Sequence, residues 1–228
     1  MTTTLFLGFV ALMLALVLAL CARFLSGRLR LVVMAGLPAW LVYVGLLGYG
    51  GVIRNATMRP PGIVFLFVPL AAFLVFLILR VRSAAGTRVA LAFPLWILLS
   101  TQCFRVIVEL FLHQLGIEGL IPKVLTFSGA NVDIYIGASA PFVAWAATRG
   151  ESFRKAIIVW NVVGLFVLAN VVIRAVLTAP GPMNLIHAEV PNRMIGTFPF
   201  MFIPGFFVPL AVVLHVLAIR AATASSPS

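Results

Sequence analysis

Apolar runs long enough to cross a bilayer recur along the whole chain, at roughly residues 4–22, 31–53, 62–79, 89–113, 130–148, 156–178 and 194–219. Each is bounded by charge or by Gly and Pro. About 20 apolar residues in a helix match the thickness of a membrane's hydrocarbon core. A soluble fold has nowhere to hide such runs. Of the 228 residues 63% are apolar and 9% are charged, against about 25% charged in soluble domains. The pattern predicts an all-α, polytopic integral membrane protein of seven transmembrane helices. These form one domain over residues 1–220, followed by a disordered cytoplasmic tail over 221–228. A water-soluble enzyme and a nucleic-acid-binding domain are excluded, although the net charge is +11.

The first run reads as a retained helix rather than a signal peptide. It has no basic segment before it, and Arg23, Arg28 and Arg30 follow it as a stop-transfer flank does. The other basic residues set direction. Arg80, Arg82, Arg88, Arg149, Arg154, Lys155 and Arg220 join those three on one side. Arg54, Arg59, Lys123 and Arg193 fall on the other. The positive-inside rule then places the N-terminus outside and the C-terminus in the cytoplasm of a plasma-type (bacterial inner) membrane. Trp96, Trp145 and Trp160 fall near the inner interface, as an aromatic belt requires.

Polar residues within the spans are expensive in lipid and so point to function. Arg105, Glu109 and His113 recur every four residues and form one stripe on the fourth span. Asn170 and Arg174 make a second such pair on the sixth, and Asn131 and Asp133 open the fifth. The last outer connection adds Asn184, His187, Glu189 and Asn192, and the first outer connection adds Arg54, Asn55 and Arg59. Convergence of three helices at one depth predicts an outer-facing polar pocket. Its ligand residues would be Arg105, Glu109, Asp133, Asn131, Asn170 and Arg174, with the arginines as an anion clamp. His215 faces the cytoplasmic end as a headgroup contact, and Asn161 reads as an interhelical hydrogen-bonding residue. Pro199, Pro204 and Pro209 should kink or interrupt the last span, because each removes a backbone donor.

The leading expectation is a protein that binds or transports a small anionic or amphiphilic ligand, without a cofactor. The alternative is an intramembrane metal-dependent hydrolase acting on a lipid-like substrate, with zinc held by Glu109, His113, Asp133 and His187. Zinc hydrolases of the ceramidase and adiponectin-receptor type resemble this chain in helix count alone; the additional histidine pair in their last helix is missing here. A third expectation is a sensor or accessory subunit. A retinal protein is excluded, since Lys123 and Lys155, the two lysines, both lie outside the last span. Cys21 and Cys103 stand alone in apolar runs and read as small apolar filler. Expected partners are membrane lipid, the ligand, and a second copy or partner subunit, with no nucleic acid.

Overall fold

The computed structural model describes residues 1–53, 58, 60–180 and 184–224, so Arg54, Asn55, Arg59 and the last four residues lie outside the described residues. The regular elements are helical: α1 (Thr2–Phe24), α2 (Gly27–Tyr49), α3 (Val64–Val81), α4 (Ala84–Ala92), α5 (Leu95–Ser100), α6 (Phe104–Ile117), α7 (Asp133–Ala147), α8 (Arg154–Leu177) and α9 (Val208–Ala224). A single 3₁₀ turn, Thr101–Cys103, joins α5 to α6, so Leu95–Ile117 is one continuous segment. A π-helical turn, Ile203–Phe207, leads into α9.

Six of these segments are long and apolar enough to cross a membrane: Thr2–Phe24, Gly27–Tyr49, Val64–Val81, Leu95–Ile117, Glu151–Leu177 and Ile203–Ala224. The expected run at 130–148 yields only the 15 residues of α7.

Two proline positions move the spans from where hydropathy sets them. The expected run at 89–113 is broken at Phe93, whose ψ of 132° is the extended conformation that a following proline imposes. Residues before the break form the separate α4, capped by Ser83, whose Oγ accepts from the Gly86 N–H at 3.1 Å. The span proper starts after Pro94. The expected run at 194–219 likewise begins only at Ile203, with Pro199 ahead of it, Pro204 inside the π-turn and Pro209 in the first turn of α9. The interruption expected from the three prolines is therefore present. Both shifts run toward the C-terminus, which brings Arg105 and His215 to the middle of their segments. The last helix also continues to Ala224, with Ala221 and Ala222 buried, past residue 220 where the tail was expected.

Prolines inside helices leave a carbonyl one turn earlier without its donor. Two of these are met by side chains of α2. Trp40 Nε1 donates to the Gly205 carbonyl, freed by Pro209, at 2.7 Å. Tyr43 Oη donates to the Phe65 carbonyl, freed by Pro69, also at 2.7 Å. In lipid, such pairing replaces the water a soluble protein would use. α1 docks through an aromatic seam. Phe6 is fully buried, with ring centroids 5.1 Å from Phe111 of α6 and 5.0 Å from Phe200.

Candidate functional site

The connection from α6 to α7 turns inward. Ile121, Leu125 and Thr126 are buried, and a 3₁₀ turn covers Lys123–Leu125. As a result α7 begins inside the bundle. A Cβ on Gly137 would stand 2.8 Å from the Val106 backbone nitrogen, so α6 and α7 touch almost backbone to backbone. That contact sets Asp133, one turn earlier on α7, beside the polar stripe of α6.

Arg105 and Asp133 form a two-point ion pair: Nε donates to Oδ2 at 2.8 Å and Nη2 donates to Oδ1. Both residues are buried. The third guanidinium nitrogen, Nη1, lies 2.7 Å from His215 Nε2 on α9. Arginine has only donors, so Nε2 must accept and the ring proton sits on Nδ1. Nδ1 in turn donates to Asn161 Oδ1 of α8 at 2.8 Å, and Asn161 Nδ2 donates to the Ile157 carbonyl at 2.8 Å. The His215 ring occupies space that Gly164 leaves open: a Cβ there would fall 2.6 Å from Nε2. Trp160 packs against the same ring at 5.5 Å and anchors its own Nε1 on Ser139 Oγ at 2.9 Å.

A second branch starts from Glu109, one turn beyond Arg105. Asn131 Nδ2 lies 2.7 and 2.8 Å from its two carboxyl oxygens and 3.1 Å from the Leu125 carbonyl. Asn131 Oδ1 accepts from the Asp133 N–H at 3.0 Å and so starts α7. The stripe on α6 therefore joins α7 through two separate side-chain links, and no Arg105–Glu109 ion pair is needed to explain it. Gln102, fully buried, donates through Nε2 to the Ala211 carbonyl at 3.3 Å, and its Oε1 has no partner among the described residues. The result is a closed polar centre tying α6, α7, α8 and α9 together across the middle of the bundle.

The residues that build this centre, from Gln102 to His215, fall within residues 60–222, the part of the chain that matches a known family. The chain belongs to the family described as Domain of unknown function (DUF8737). The match leaves out α1 and α2. No curated protein and no solved structure matches the chain.

Arg105, Glu109, Asn131 and Asp133 are thus brought together as the sequence suggests. Asn170 and Arg174 are not among them. They pair with each other, Arg174 Nε donating to Asn170 Oδ1 at 2.8 Å on an exposed face of α8. His113 stacks on Phe127 at 4.2 Å, and His187 is exposed in the last long connection. Among the described residues, no three of His, Cys, Asp and Glu come together as a metal-holding group. Glu109, His113, Asp133 and His187 therefore do not converge. Cys21 and Cys103 are both free.

His215 is the member that hydropathy misplaces, whereas Asn161 makes the interhelical hydrogen bond expected of it. His215 is fully buried and bonded at both nitrogens, and is not a headgroup contact. Two signals in the sequence bear on it. Asn161 and Gly164 sit three apart on α8, a polar partner and a vacated space on one helix face. The prolines at 199 and 204, taken as helix-start residues, would have moved His215 to mid-span. Outside the spans, Glu189 Oε1 accepts from the Lys123 N–H at 2.7 Å and ties the two long connections together. That bond holds the Glu189 carboxyl below the usual carboxylate range.

Proposed function

We propose that this is a seven-span protein of a plasma-type membrane that binds, and moves, a small anionic or amphiphilic ligand at the Arg105 centre. In this reading α7 is the seventh and shortest span, completed by the inward-folded 118–132 connection, and the N-terminus is outside. One observation carries it: at mid-span Arg105 holds a carboxylate in a two-point grip, and that carboxylate opens a helix beginning inside the bundle. Non-helical backbone at such depth is tolerated where protein or a ligand cavity covers it, and broken helices of this kind line the binding sites of many transporters. A guanidinium that grips Asp133 with two parallel bonds grips a ligand carboxylate or phosphate the same way. Asp133 is then the internal occupant that an incoming anion displaces, while His215 and Asn161 keep the guanidinium aimed.

The test uses the purified protein in lipid nanodiscs, with acetate, inorganic phosphate and decanoate as probes. Asp133→Asn removes the competing charge but keeps the shape. It should bind at least one probe more tightly than the wild type, read as a larger rise in melting temperature. Arg105→Gln in the Asp133→Asn background should abolish the rise. A rise that survives the Arg105 change, or no rise with any probe in either background, contradicts the proposal.

A further inference from the structure

A second feature lies away from the Arg105 centre. A narrow apolar cleft runs between α3, α6, α8 and the π-helical turn, with Phe67, Leu112, Val172, Ala175, Ile203 and Pro204 among its walls. Its volume is about 50 Å³, enough for part of a hydrocarbon chain but not for a bulky solute. These residues lie at the end of the bundle that carries the two long connections. The flanking faces of α3 and α8 expose Val68, Phe73 and Ile173, the surface a helix shows to lipid.

Behind the Ala175 wall at this end lies a buried polar side chain, Asn192. Asn192 is only 6% exposed. Its Nδ2 donates at 2.9 Å to the carbonyl of Ala175, itself a wall of the cleft. Its Oδ1 is buried and has no hydrogen-bond partner among the described residues. Buried polar atoms are ordinarily paired, so a lone acceptor beside a cleft points to a donor from outside the chain. Arg193, the next residue, is exposed.

We propose that the cleft takes part of one acyl chain of a membrane phospholipid whose headgroup is anionic and carries hydroxyls. A headgroup hydroxyl donates to Asn192 Oδ1, the phosphate faces Arg193, and the chain lies against Val172 and Ala175. The apolar walls select a hydrocarbon chain, the unpaired acceptor selects a donor-bearing head, and the neighbouring cation selects negative charge. The site is independent of the Arg105 reading, and either can fail without the other.

The experiment is native mass spectrometry of the full chain, delipidated and reloaded with phosphatidylglycerol and phosphatidylcholine of identical acyl chains in equal amounts. The wild type should retain one phosphatidylglycerol per chain and little phosphatidylcholine. Asn192→Leu should weaken that retention about tenfold, the scale of one lost hydrogen bond in a desolvated site. Arg193→Gln, an exposed change that leaves packing alone, should weaken it severalfold. Ala175→Phe should fill the cleft and abolish it. Equal retention of the two lipids, wild-type retention in Arg193→Gln, or phosphatidylglycerol still held by Ala175→Phe would each overturn the proposal.

Discussion

The two ends of the packing scale in this molecule are α3 and the Ile203–Ala224 segment. In α3 11% of the most apolar stretch is buried within the protein, whereas in Ile203–Ala224 the share is 56%. Both are apolar enough to span, yet they serve different ends. α3 shows Phe73, Phe76, Ile78 and Leu79 to its surroundings and is an outward-facing apolar wall. The last segment carries His215 and, with Leu95–Ile117, encloses the polar centre. The contrast teaches that hydropathy finds both helices without telling a wall from a core. The difference lies in a few polar atoms and in where backbone is irregular. Apolar surface is nearly interchangeable with lipid, so the side-chain interactions that set stability concentrate around Arg105, Asp133, His215 and Asn161.

The hardest blow to that picture is Arg105→Ala. It leaves the buried Asp133 without its partner, a change that costs about 3–5 kcal/mol in buried pairs. It should produce the largest fall in melting temperature of any single substitution, measured in detergent by thermal unfolding. Gly164→Val comes next. Its side chain must enter the space of the His215 ring, an overpacking that costs about 1–3 kcal/mol, and it should separate His215 from Asn161. A changed ¹⁵N signal of the imidazole would report that directly. Trp40→Phe and Tyr43→Phe each remove the donor to a proline-orphaned carbonyl and should cost about 0.5–1.5 kcal/mol. At the bottom of the scale, Leu79→Ala on the wall should stay within about 0.5 kcal/mol. If Leu79→Ala rivals Arg105→Ala, the division into wall and core fails.

A smaller effect concerns the connections. The folded Glu189 carboxyl sits below its ordinary range, so its bond to Lys123 is favoured above that range and is lost as pH falls through the lowered value. The protection of the Lys123 amide, its exchange rate relative to the intrinsic rate at each pH, should therefore fall in acid, and Glu189→Gln should remove that loss of protection.

Much of the fold is legible in the sequence because lipid imposes a coarse rule: long apolar runs become helices. What is less legible has a single physical origin. Pro94, Pro199 and Pro204 act as boundaries of helices, while hydropathy, which averages over a window, runs straight through them. The resulting shift places Arg105 too near one end and His215 too near the other, which hides their meeting. Asn131, Asp133, Glu109 and Arg105 are still recoverable, because the fourfold spacing on one helix and the polar start of another survive a shift of register. Asn170 and Arg174 share the same spacing but satisfy each other on the exposed face of α8. Spacing alone cannot separate an inward stripe from an outward one. Gly137 and Gly164 carry that information, since each marks where another element comes too close for a side chain.

The central claim is that Arg105 and Asp133 act as one unit at the heart of the bundle. A double-mutant cycle tests it most directly: thermal stability of the wild type, Arg105→Ala, Asp133→Ala and the double variant in one lipid composition. Strong non-additivity is expected, with the double variant far more stable than the sum of the two losses implies, because neither charge is then left buried alone. Additive losses would show that the two side chains do not depend on each other, and would contradict the account.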